Sequence, residues 1–103
     1  MRTLVVPPAA QRDEDAIQMV SAWIAEKGLH CTINIGMWRA NGRDEARAWG
    51  ILLADVARHI GNALHEETGV DPTSAVNALI RSLLDEIGDP TAAARGSFNP
   101  GPN

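Results

Sequence analysis

The stretch "DVARHIGNALHE", Asp55 to Glu66, places an acid, two histidines, an asparagine and a second acid within about three helical turns. Asp55 and His59 stand one turn apart, so their side chains can touch. A carboxylate beside an imidazole raises the imidazole pKa and orients the ring, which is how a general base is often held. Asp55 and His59 are therefore the catalytic candidates, with His59 as base and Asp55 as its orienter. A boundary histidine satisfied by its i−4 acid explains the same pair and outweighs that reading, because such pairs arise routinely on helices. A metal site would need Asp55, His59 and Glu66 to converge. His59 and Glu66 lie two turns apart, about 10 Å along the axis, so His30 or a second subunit would have to contribute. The multi-ligand spacings of zinc sites are missing. Neither metal nor cofactor is expected.

Cys31 beside His30 suggests a nucleophile and its base, but neighbouring strand residues point to opposite faces, so these two form no dyad. Cys31 falls with Leu29, Ile33 and Ile35 and reads as a small core group. His30, Thr32 and Asn34 share the other face, and become polar specificity groups if a ligand or second copy covers it. In "MWRANGR", Trp38 stands near Arg39 and Arg43, with Arg47 a turn beyond. Guanidinium forks bind carboxylates and phosphates, and indole offers a stacking surface. Trp38, Arg39 and Arg43 are the candidates for a small anionic ligand. A Trp lid over the core, with Arg paired to Asp44, Glu45 or Asp13, is the competing and stronger reading. No phosphate-binding Gly loop, Ser-centred elbow or Cys-x-x-Cys pair occurs.

These residues need elements to carry them. "TLVV", Thr3 to Val6, reads as a strand ended by Pro7-Pro8. "RDEDAIQMVSAWIAEKG" reads as a helix: Asp13 caps it, Ala16, Ile17, Val20, Trp23 and Ile24 recur at helical spacing, and Lys27-Gly28 stops it. "LHCTINI" alternates as a half-buried strand. A helix running back between two strands makes them parallel. A second helix is expected from about Asp44 to Thr68, stopped by Gly69. It would span roughly 37 Å, against a ~26 Å diameter for a domain this size. Either Gly50 or Gly61 bends it, or one end projects and something else covers it. A third helix starts at Asp71 with Pro72 at its first position and ends at Gly88. The Pro- and Gly-rich tail from 89 reads as flexible.

On the second helix, Trp49, Leu52, Leu53, Val56, Ile60, Ala63 and Leu64 form the core face. Beside it runs a stripe of small residues, Gly50, Ala54, Ala57 and Gly61, at the spacing of a helix–helix seam. Two interior glycines cost about 1 kcal/mol each relative to Ala. Close approach of another backbone, from the third helix or from a copy of the second, would offset that. The stripe is the expected interface. Ile51 on the outward side also suggests a covered surface.

The chain has 103 residues, 45% of them apolar and 21% charged, an ordinary composition for one domain. Net charge is −4 and the nine cations are scattered, which disfavours nucleic acid and anionic lipid as partners. Cys31 is the only cysteine, so no disulfide forms within the chain. No apolar run approaches the ~20 residues of a membrane span, and the N-terminus has only a three-residue apolar run against the ~7–15 of a signal-peptide core, so the expected location is cytoplasmic.

The order of the blocks "TLVVPPAAQRDEDA", "MVSAWIAEKGLHCTINIGMW" and "AWGILLADVARHIGNAL" resembles a family of small bacterial proteins known as a domain of unknown function (family 5076). The resemblance covers about residues 3–87. It implies a free-standing bacterial cytoplasmic protein and supplies no activity, ligand or catalytic residue. The combined expectation is an α+β domain over 1–88, order β-α-β-α-α, with a small two-stranded sheet covered by three helices, and a tail over 89–103. Two strands are marginal alone and leave an open edge, so a homodimer is expected. The leading function is a homo-oligomeric, non-enzymatic interaction or scaffold module. Binding of a small anionic ligand is second, and an Asp55–His59 enzyme third.

Overall fold

The computed structural model describes residues 1–90 and the backbone of 95–99, with the side chain of Phe98. The elements in chain order are α1 (Pro8–Arg12), β1 (Val20–Ala25), β2 (Gly28–Asn34), α2 (Met37–Ala40), α3 (Glu45–Thr68), α4 (Pro72–Gly88) and β3 (Arg95–Asn99). The protein is α+β.

The first third differs from the sequence expectation. Thr3 to Val6 forms no strand, and Leu4 and Val5 lie almost fully exposed. The helix expected from Asp13 to Lys27 does not form, and the short α1 that precedes it ends before Asp13. Asp13 instead accepts a hydrogen bond from the Asp15 N–H at 2.9 Å, a local turn rather than a cap. Val20–Ala25 is a strand, paired antiparallel with β2 from Val20 opposite Ile33 to Ala25 opposite Gly28. Lys27-Gly28 is thus no helix stop. Glu26 and Lys27 form a two-residue hairpin turn, with φ of 50° and 64°, the backbone a primed turn demands. The order β-α-β-α-α and the parallel first pair are therefore corrected to a hairpin. A parallel pairing does occur, but between β2 and β3, with Thr32 opposite Ser97. Of the 89–103 tail, Asp89, Pro90 and β3 are described, and the rest lies outside the described residues.

The helical half agrees with its sequence signals. Asp44 caps α3 by accepting the Arg47 N–H at 3.1 Å. Gly69, at φ 80°, closes it, its N–H donating to the His65 carbonyl at 2.9 Å. Asp71 caps α4, accepting from the Ser74 N–H at 3.0 Å and its hydroxyl at 3.1 Å, with Pro72 at the first helical position. α3 runs unbroken through Gly50 and Gly61.

The helices do not cover the sheet. Within one chain β1 packs with β2, β2 with β3, α3 with α4 and, less extensively, α2 with α3; no packing of similar extent joins the strands to α3 or α4. Ala57 is the one buried apolar side chain among the described residues. Most of the expected core face of α3 is bare: Leu53, Val56, Ile60 and Leu64 are exposed, while Trp49 and Leu52 are half-buried. None of the helices in the described residues is long and apolar enough to cross a membrane.

Candidate functional site

The loop after β2 and the start of α3 build the most organised cluster of side chains. Gly36, with φ 102°, turns the chain into the four-residue α2, which presents Trp38. One turn into α3, Trp49 meets Trp38 edge to face, with ring centroids 5.5 Å apart and planes at 90°. Glu45 fixes this pair. Its Oε1 accepts the Arg39 backbone N–H at 2.9 Å and its Oε2 accepts the Trp49 indole N–H at 3.0 Å. Partial burial works to raise the Glu45 pKa. The backbone N–H groups of Arg39 and Gly36, the Trp49 indole and the Arg39 charge together outweigh it, so the carboxyl titrates below its usual range. Sequence reading placed Glu45 only as a counter-ion for arginine. Its i,i+4 spacing to Trp49 was the available signal.

Beside this cluster lies an open cleft of about 380 Å³, lined by Trp38, Arg43, Ile51, Leu52, Asp55 and Val56. The structure thus brings Trp38 and Arg43 together but leaves Arg39 out of the cleft wall. It also sets the Asp55 carboxylate in the same wall, which opposes the entry of an anion.

Asp55 is engaged by Arg58, three residues on, in an exposed ion pair. No hydrogen bond joins it to His59, which is itself exposed. A flexible guanidinium one turn away reaches the carboxylate, and the proposed acid–base pair is not assembled. His65 lies at the C-terminal end of α3, its Nδ1 3.0 Å from the Val70 carbonyl. The described residues hold no group of three or more His, Cys, Asp or Glu side chains placed to bind a metal.

The small-residue stripe divides. Ala57 and Gly61 are buried. A β-carbon added at Gly61 would lie 2.8 Å from Val76 Cγ2 and 3.0 Å from the Pro72 carbonyl oxygen, so this half receives α4 of the same chain. Ala54 is exposed and nothing lies within 4 Å of a β-carbon at Gly50.

The hairpin has two unlike faces. Register and alternation put Val20, Ala22, Ile24, Leu29, Cys31 and Ile33 on one, all apolar. The other carries Ser21, Trp23, His30, Thr32 and Asn34, where the Trp23 indole donates to the Ser21 hydroxyl at 2.8 Å. On that face His30 Nε2 and both side-chain polar atoms of Asn34 are buried without a hydrogen-bond partner.

Residues 3–91 match the family described as a domain of unknown function, DUF5076, and the chain belongs to that family. No curated protein matches the chain. Among solved structures, one described as a "putative pyruvate dehydrogenase" from the photosynthetic bacterium Rhodopseudomonas palustrus is similar at 26% identity. The similarity covers 91% of each chain with a TM-score of 0.65.

Proposed function

We propose that this member of the family is a homo-oligomeric interaction module of the cytoplasm whose fold is completed by a copy of itself. One observation carries the reading. The chain exposes 8545 Å², whereas a folded monomer of 11.0 kDa exposes about 5,600 Å². The excess is on the order of 2,900 Å². Even half of it exceeds the roughly 800 Å² per partner of a standard stable interface. The radius of gyration agrees: 15.5 Å against about 13 Å for a compact domain of this length. Ile24, Leu84 and Ile87 are 81%, 61% and 72% exposed, far from the isolated surface apolar groups of an ordinary monomer. The orphaned polar atoms of His30 and Asn34 add support, since a buried unpaired polar group costs about 1–3 kcal/mol.

Light scattering on the purified protein tests this. A mass of two or more chains that persists on dilution into the micromolar range is expected. A stable monomer would sink the reading.

The cleft supports a second reading, binding of a small anionic ligand, narrowed from the Trp38, Arg39 and Arg43 loop to Trp38 and Arg43. If anionic metabolites raise the melting temperature, Arg43→Ala should abolish the shift, and Arg39→Ala should not.

A further inference from the structure

We infer that the apolar face of the β1–β2 hairpin and the apolar face of the α3/α4 pair are two halves of one core that close only between chains. Each protomer's helix pair covers the sheet of its partner. This rests on the homo-oligomer reading and names its architecture.

The hairpin supplies one half. Its six face residues pair as Val20 with Ile33, Ala22 with Cys31 and Ile24 with Leu29, with no polar side chain among them. An antiparallel sheet face of that kind is a core face, because it alternates with a polar one. Yet Val20, Ile24 and Leu29 are exposed. The helix pair supplies the other half. Leu53, Val56 and Ile60 follow one another along α3 at helical spacing, and Ile80, Leu84 and Ile87 do so along α4. Gly61 lies where α3 approaches α4, with Ala57 buried one turn before it, while all six of these side chains stay exposed. An amphipathic helix pair and an amphipathic sheet are stable when stacked as two layers. Here one chain contains both layers and does not stack them.

Dimensions and charge both favour a second copy as the occupant. A six-residue strand spans about 20 Å, against about 25 Å for the 17 residues of α4 and about 36 Å for the 24 of α3, so the helix pair is long enough to cover the hairpin. Both faces are uncharged, so neither selects for a charged partner. Two short segments join the halves: residues 35–44, which hold only the four-residue α2, and residues 89–94 between α4 and β3. A short connector between two separately folded halves is the geometry of an exchanged dimer. The surface excess is also large enough for two such stacks, since obligate and intertwined interfaces bury about 2,000–5,000 Å² in total.

The unmodified protein allows a direct test. Carbon-13-labelled and unlabelled chains are mixed, unfolded, refolded and studied by isotope-filtered NMR, with light scattering on the same sample. The expected result is a mass twice the 11.0 kDa of the chain. Contacts should run between chains from the Val20, Ile24, Leu29 or Ile33 methyls to those of Val56, Ile60, Ile80 or Leu84. An oligomer whose between-chain contacts run only helix to helix or sheet to sheet overturns the exchange and leaves the module reading standing. Sheet-to-helix contacts found only within one chain do the same. A monomer overturns both.

Discussion

Gly61 and Pro72 meet where α3 and α4 approach closely: a β-carbon on Gly61 would sit 3.0 Å from the Pro72 carbonyl oxygen. Backbone cannot move aside as a side-chain tip can. Gly61→Ala gains about 1 kcal/mol of helix propensity but must force that contact, and overpacking costs about 1–3 kcal/mol. A net loss is expected, seen as a melting temperature lower by several degrees. Gly50→Ala has open space within the chain, and stabilises by up to about 1 kcal/mol. A Gly50→Ala protein that melts lower would mean that a partner's backbone packs against Gly50.

If copies complete the fold, dissociation and unfolding are coupled. The melting temperature should then rise with protein concentration. Leu84→Asp puts a charge into a face now bare, and should reduce the oligomer mass or leave the chain unfolded at micromolar concentration. A Leu84→Asp protein with unchanged mass and melting temperature would show that this face stays in solvent.

Glu45 should give the fold an acid-sensitive contact. Its pKa is lower in the folded chain than in the unfolded one. Its contribution is therefore present above the ordinary glutamate value, about 4.3, and is lost as pH falls through the lower folded value. Glu45→Gln leaves an amide NH₂ facing either the Arg39 N–H or the Trp49 indole N–H, both donors. That variant should be less stable than wild type at neutral pH, with the gap narrowing below about pH 4. A gap that does not change with pH would show that the carboxylate charge is not what holds the tryptophan pair.

The hairpin turn is built from residues poorly suited to it. Glu26 and Lys27 both sit at positive φ, where a non-glycine residue costs on the order of 1 kcal/mol. Replacing them by Asn and Gly should stabilise the protein by about 1 kcal/mol or more, with the chemical shifts of β1 and β2 unchanged. Destabilisation would argue that Glu26 or Lys27 makes a contact elsewhere.

Asp55 and Arg58 form an exposed pair at the α3 surface, and such pairs contribute roughly 0–1 kcal/mol. Asp55→Asn should therefore shift chemical denaturation only slightly, and less still at high salt. A large loss would mean that the carboxylate is covered in the assembled protein.

For the two long helices, local chemistry decides and the sequence by itself determined the outcome. Asp44, Gly69, Asp71, Pro72 and Gly88 mark helix boundaries through groups within a few residues of each other, so α3 and α4 begin and end where their caps and breakers place them. The apolar face of β2 was legible for the same reason, from its period of two. Tertiary structure decided what depends on distant partners. Val20, Trp23 and Ile24 fit helical spacing, while Val20, Ala22 and Ile24 fit a strand equally well. Only pairing with Ile33, Cys31 and Leu29 resolved that choice, because a ladder's hydrogen bonds come from another segment. "TLVV" shows the reverse: strand-prone residues form no strand when no segment pairs with them. The small-residue stripe was visible, but which half would meet α4 was not. The loop 69–71 sets that position by bringing Pro72 and Val76 against Gly61 and leaving Gly50 open. The apolar faces follow from the sequence. That one chain leaves both uncovered is a fact of the three-dimensional fold alone.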